Sequence, residues 1–205
     1  MTKFARNGIR QYPKDDLDVS RSTGLILCGM GGPDRPEAVR PFLRNLFADP
    51  AIFPLPRLIA PLVGAMIARK RSPEVAERYQ LMDPSGATPQ LRFTRDQAAL
   101  LAQRLGERLG GESGGNFLPE AAMRYWHPFP DEAVEALLNK GAEQFVILPT
   151  YPQFSPATGG STLNFVMKSL QAKAAGAPVY TLPNWYQLEG YIANLARPVI
   201  DQLIA

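Results

Sequence analysis

Cysteine and histidine each occur once, at positions 28 and 127. A single cysteine excludes an intrachain disulfide and removes the usual support for an oxidising compartment. The lone histidine has no cysteine, histidine or carboxylate at ligand spacing beside it, so no local motif builds a closed metal site. No window approaches the roughly 18 consecutive apolar residues of a bilayer-spanning helix. The opening stretch, MTKFARNGIRQYPKDDLDVSRS, has no apolar core of signal-peptide length. Net charge is only +3, and no Lys/Arg stripe interleaves with aromatics. That argues against nucleic acid as a partner and leaves a weak lean toward an acidic small molecule or an anionic surface. The expectation is a cytoplasmic protein.

Against these absences, 45% of the 205 residues are hydrophobic and 20% charged, which suits a packed globular core. Residues 1–22 are polar and unpatterned and read as a mobile extension, with one α/β domain expected over 23–205. Thr23 to Gly29 is a short apolar run stopped by glycines. It suits a buried parallel strand, where both faces are covered and alternation is not needed. Ala121 to Tyr125, Gln144 to Pro149 and Pro178 to Leu182 read the same way.

Helical patterns lie between these runs. Asp34 can cap a helix with Pro36 in its first turn and Val39, Phe42, Leu43 and Leu46 on one face. Ala98, Leu101, Ala102, Leu105 and Leu109 recur at helical spacing between Pro89 and Gly110. Further helices are expected over 131–140, 161–175 and 188–204, the last interrupted or kinked at Pro198. GGESGG, over 110–115, reads as a flexible loop. Strands alternating with helices predict an α/β fold: a doubly wound, mostly parallel sheet of about four strands flanked by helices.

Four segments carry candidate chemistry, each beside a plainer reading. Cys28-Gly29-Met30-Gly31-Gly32-Pro33 follows the first strand; Asp34 stands where a dinucleotide fingerprint needs glycine, and no P-loop is present. It is either a tight turn or a backbone that approaches a flat ligand at the sheet's carboxyl edge, with Met30 against it. Leu58 to Ala68, followed by Arg69-Lys70-Arg71, is either a buried helix with a basic C-terminus or an apolar lip ringed by cations. Met123-Arg124-Tyr125-Trp126-His127-Pro128 offers Arg124 as an orienting cation, with His127 the weaker candidate for contact with chemistry. Thr150-Tyr151-Pro152-Gln153-Phe154-Ser155 leads to Gly160-Ser161. There the hydroxyls either cap a helix or leave its N–H groups to a ligand carboxylate.

Together these segments resemble the ferrochelatases along nearly the whole chain from Thr23. LILCGMGGP is similar to the family's opening strand and turn, and FLRNLFADPAIFPLP to the helix and lip that follow. Arg71-Ser72-Pro73 through Tyr79 resembles its R-x-P…Y segment, while MRYWHP and TYPQFS with Gly160-Ser161 match further signatures. The resemblance implies a lyase of haem biosynthesis that inserts ferrous iron into a porphyrin held between two similar α/β halves, this chain corresponding to the N-terminal half.

It implies Met30 against the macrocycle, Leu46 and Phe47 along the lip, and Arg71, Tyr79 and Thr88 around a propionate. Arg124, Tyr125, Tyr151 and Ser155 would form the inner pocket. Ferrous iron and the porphyrin are then substrates, and no tightly bound cofactor is expected. The family's S-x-H-[GS]-L-P segment and its partner acid are expected downstream of this chain, so no catalytic residue is assigned, and His127 does not inherit that role. The alternative is a non-catalytic porphyrin-binding or degenerate half. A cobalt or sirohydrochlorin chelatase is disfavoured, since no histidine follows the first strand closely. Peripheral membrane contact through residues 53–71 and self-association through exposed cleft surface are the remaining expectations.

Overall fold

In a computed structural model of the chain, residues 17–56, 58–109 and 115–204 are described. The glycine-rich loop lies outside the described residues from 110 to 114, as does the N-terminal extension up to residue 16. Residues 17–22 are tied to the fold: Leu17 packs beside the sheet and the Asp18 carbonyl accepts from Gln144 Nε2 at 2.6 Å.

Strand β1 (Thr23–Gly29) is buried along its whole length, as its unbroken apolar run requires. Three further strands join it, β2 (Phe117–Met123), β3 (Gln144–Pro149) and β4 (Val179–Thr181), in the order β2-β1-β3-β4. Every pairing is parallel. The chain steps from β1 to β2 on one side, then crosses to β3 on the other. That reversal opens a crevice beyond the carboxyl ends of β1 and β3, where open α/β sheets bind ligands.

Helix α3 (Gln90–Leu109) covers one face, its Ala98 and Ala102 against Leu25 and Leu27. Helices α4 (Pro130–Asn139) and α5 (Ser161–Lys173) cover the other, with Val134, Leu137, Val166 and Leu170 against Ile26 and Cys28. Alternate β1 residues thus serve opposite cores, as the two-residue period dictates. A third cluster forms past the carboxyl edge. There α1 (Val39–Phe47) and α2 (Ala60–Met82) pack with Tyr125 and Trp126.

The structure corrects four readings. Strand β2 begins four residues before the expected Ala121 and ends at Met123. Pro119 and Glu120 hid its start. Both are tolerated because β2 is an edge strand, and Glu120 reaches Lys140 at 2.6 Å. Second, α2 does not end at its basic triplet; it runs through Arg69, Lys70, Arg71 and Pro73 to Met82. Its inner stripe is small, Ala60, Gly64 and Ala68, whereas Leu62 and Met66 are 68% and 63% exposed, so it is not a buried apolar helix. Third, Asp34 caps nothing: its carboxylate accepts from Trp126 Nε1 at 3.0 Å and pairs with Arg35. Fourth, α6 (Glu189–Ile204) runs through Pro198 without interruption and none of its residues is buried.

Candidate functional site

The site grows from the turn after β1. Gly31 has φ +79°, and a Cβ there would sit 2.8 Å from Met123 Cβ. At Gly32 a Cβ would come within 2.4 Å of Thr88 Oγ1, so the turn passes between β2 and Thr88 only because both side chains are absent. The turn is then stitched to the end of β2: Arg124 N–H donates to Gly29 O at 2.9 Å and Tyr125 N–H to Met30 O at 3.0 Å. Met30, Leu46, Phe47, Ile52 and Tyr79 are partly buried in one apolar cluster around Tyr125 and Trp126.

Arg71 borders this cluster beside Phe47, Tyr151 near Met30 and Thr88 against the Gly32 turn, while Ser155 lies on the loop after β3. The Arg71 guanidinium lies 6.0 Å from the Phe47 ring centroid and is exposed. The Tyr151 hydroxyl lies within hydrogen-bonding reach of Met30 N–H and of Thr162; burial, then the neighbouring Cys28, pushes its pKa up to about 12. Burial likewise raises Tyr79. Tyr151 therefore keeps its proton at neutral pH. Ser155 is half-buried just before a π-helical turn, Pro156–Gly160, and its carbonyl accepts from Gly160 N–H at 2.9 Å. Thr88 packs on Gly32 and bonds Pro33 O through its N–H at 2.8 Å. It borders a shallow hollow of about 280 Å³ with Asp34, Arg92 and Arg95. Among the described residues no hydrogen bond joins Thr88 to Arg71 or Tyr79.

Asp49, which sits within the FLRNLFADPAIFPLP segment without a role assigned to it, is the polar centre. Its Oδ2 accepts from Arg124 Nη2 at 2.7 Å, the Tyr125 hydroxyl at 2.7 Å and the Ser161 hydroxyl at 2.8 Å. Oδ1 accepts from Ala51 N–H at 2.8 Å. Burial pulls the Asp49 carboxyl upward, but the Ala51 N–H, the two hydroxyls and the Arg124 charge outweigh it and hold the group below its ordinary range. Tyr125 moves the other way, raised by burial and then by Asp49. It is 2% exposed and stands behind the apolar surface.

Arg124 is also bonded through Nε to Ser161 Oγ at 3.0 Å, and its guanidinium carbon lies 3.4 Å from the Phe165 ring centroid. Of the two readings offered for these hydroxyls, helix capping does not hold for Ser161. The helical path begins at the preceding π turn, and the Ser161 hydroxyl joins the Asp49 network instead. No local signal marks Asp49 or Phe165, because an Asp between Ala48 and Pro50 reads as an ordinary turn residue.

His127 stands apart. Its Nδ1 lies 2.8 Å from Glu132, whose carboxylate also accepts from the Phe129 N–H and so closes the start of α4. Among the described residues no three His, Cys, Asp or Glu side chains are grouped to hold a metal ion. What the arrangement offers is a partly buried apolar wall, neutral hydroxyl donors, an internally balanced Arg–Asp pair and exposed cations at the rim. Such a surface suits a flat apolar molecule with an anionic edge.

The family model described as Ferrochelatase matches residues 22–204. The ferrochelatase of Desulfotalea psychrophila is 42% identical over 178 residues, covering 86% of this chain and 53% of that protein. That of Hyphomonas neptunium is 42% identical over 187 residues, covering 91% and 49%. Ferrochelatase-2, chloroplastic, of Cucumis sativus is 37% identical over 183 residues, covering 87% and 34%. The chain spans about half the length of the bacterial relatives named here.

Proposed function

The chain belongs to the ferrochelatase family, and from that premise we propose that it forms the porphyrin-holding half of a site that inserts ferrous iron into a porphyrin in haem biosynthesis. The observation that carries this reading is the joining of lip and inner pocket. Met30 packs with Leu46, Phe47 and Tyr79, while its carbonyl accepts from Tyr125 N–H and its N–H lies within reach of the Tyr151 hydroxyl. Iron is a substrate in this reading, not a resident cofactor. The porphyrin faces lie on the apolar wall and a propionate lies toward Arg71, Tyr79 and Thr88. Tyr151 and Ser155 donate to the ring or its substituents.

Insertion of the metal releases two pyrrole protons, so a base must accept them. Tyr151, with its pKa near 12, is a donor and not that base. His127 is held by Glu132 outside the cluster. This favours a second reading, in which the chain holds a porphyrin and performs no metallation by itself.

No described helix is long and apolar enough to cross a membrane. Leu62, Met66 and Lys70 nevertheless fall at four-residue spacing on the outer face of α2, with Leu58, 95% exposed, just before them. An apolar stripe leading into Arg69, Lys70 and Arg71 fits the cytoplasmic surface of an anionic bilayer, so peripheral attachment through residues 53–71 forms part of the proposal. Self-association through α6 is a further part, since its Ile192, Leu195, Val199 and Leu203 are all more than half exposed.

Anaerobic incubation of the purified chain with protoporphyrin and ferrous iron, followed by absorption, separates the readings. Turnover lost in Arg71→Ala or Tyr151→Phe establishes insertion by this chain. Porphyrin binding without turnover establishes the second reading. Absence of binding overturns both.

A further inference from the structure

We propose that Asp49 is the positioning residue of this site, fixing the Arg124 guanidinium in one orientation and locking the start of the lip to it. The inference rests on the porphyrin-holding reading. Arg124 at the end of β2 is a long side chain beside an open crevice, and a cation there has many rotamers and no intrinsic reason to choose one. The structure removes that freedom three ways. Nη2 is held by Asp49, Nε by Ser161 Oγ, and the guanidinium plane is stacked against Phe165 and Tyr125, at 3.4 and 4.7 Å from their centroids.

Ser161 is itself tied to Asp49, so both nitrogen anchors trace back to one carboxylate. Nη1 alone has no protein partner among the described residues, which makes it the nitrogen left for a bound molecule. A planar fork held this way directs its remaining donors with little entropy still to lose.

The same residue organises the lip. The Asp49 carbonyl accepts from Ile52 N–H at 3.0 Å and Phe53 N–H at 2.9 Å, while Oδ1 takes Ala51 N–H. That turn sets Phe53 edge-on to Phe47, centroids 5.7 Å apart. One carboxylate residue thus sets the spacing between the apolar lip and the inner donors. Its charge also balances Arg124, so the inner pocket presents hydrogen-bond donors without a net positive charge that would repel an incoming metal cation.

The test uses the full chain, labelled with ¹⁵N. The Arg124 Nε–H, identified by its absence in Arg124→Lys, is expected as a separate, slowly exchanging signal. In Asp49→Asn it should merge with the signals of exposed arginines while the backbone pattern of the sheet persists. An unchanged Arg124 signal in that folded variant overturns the proposal. Should Asp49→Asn not fold, Phe165→Leu decides. Asp49 and Ser161 still hold Nη2 and Nε there, so the signal should stay distinct, and its collapse overturns the proposal.

A second arm measures protoporphyrin binding from the Soret band. Asp49→Asn and Arg124→Met are each expected to weaken binding about tenfold, and the double variant no further, because Asp49 acts through Arg124. Additive losses overturn the proposal. The nuclear resonance arm needs no porphyrin. A wild-type chain that binds none therefore sinks the functional reading, while the Arg124 signal still decides the role of Asp49.

Discussion

Arg124 and Asp49 lie 75 residues apart in the chain, yet Nη2 and Oδ2 meet at 2.7 Å. Their side chains are only 12% and 5% exposed. Arg78 and Glu74 meet at 2.6 Å, with 68% and 57% exposure. Distance alone would rank the second pair as the stronger. Desolvation reverses the ranking for single truncations, because removing one partner of a buried pair strands the other in low dielectric. Asp49→Ala is therefore expected to cost about 3 kcal/mol, and Glu74→Ala about 0.5 kcal/mol or less. Urea denaturation of the two variants checks the contrast, and equal midpoints would refute it.

The same carboxylate links stability to pH. The folded state depresses the Asp49 pKa, burial opposing and the Ala51 N–H, Tyr125, Ser161 and Arg124 prevailing. The stability it contributes is therefore fully present above the unfolded value, near 3.9. It is lost as pH falls through the lower folded value. Melting temperatures between pH 2 and pH 7 should show wild type losing its advantage over Asp49→Asn on the acid side. A constant gap across that range would exclude Asp49 as its source. Asp18 and Asp83 are also depressed, but both variants retain them.

Close helix packing gives a third expectation. A Cβ at Gly64 would meet Ala48 N at 3.0 Å and Arg44 O at 3.2 Å. These are backbone atoms that cannot swing aside. Gly64→Ala should therefore destabilise the chain by roughly 1–3 kcal/mol despite the better helix propensity of alanine. Gly190, near the start of α6, has no atom of the described residues within 4 Å of its Cβ position. Gly190→Ala should be neutral or stabilising by about 0.5 kcal/mol. Both follow from equilibrium unfolding, and a stabilising Gly64→Ala would contradict the close approach of α1 and α2.

The sheet was legible because its determinants are local. Leu25 to Cys28 and Phe145 to Pro149 are continuous apolar runs that only a strand covered on both faces requires. Where the local signal failed, tertiary context had overridden it. Pro119 is acceptable because no strand among the described residues pairs beyond β2, and Pro73 sits within α2 while the helix continues to Met82. The cluster of Met30, Leu46, Phe47 and Tyr79 came from motif resemblance and meets in space. Asp49 lies in one of those resembling segments, but nothing local gave it a role. Its bonds reach residues 75, 76 and 112 positions away, and no spacing rule spans such separations.

The outer stripe of α2 yields a fourth expectation. Leu62 and Met66 are exposed, so replacing both by aspartate should leave the melting temperature within about 2 °C of wild type. The same change places two negative charges on the face proposed to meet an anionic bilayer. Co-sedimentation with vesicles rich in phosphatidylserine should fall several-fold, and wild-type binding should weaken as salt rises. Equal sedimentation of both proteins would remove α2 from the membrane contact.

Arg71 provides the sharpest check on how the site reads its ligand. It projects from the middle of α2 beside Phe47 and has no carboxylate partner among the described residues, unlike Arg124. A free, exposed guanidinium attracts an anionic edge without the desolvation that a buried one would incur. Arg71→Ala should therefore weaken protoporphyrin binding about tenfold while leaving the dimethyl ester almost unaffected, since the ester presents no charge. Fluorescence quenching titrations of both ligands against both proteins give the four constants required. Equal losses for acid and ester would mean that Arg71 supports the apolar wall through Phe47 and does not hold a propionate.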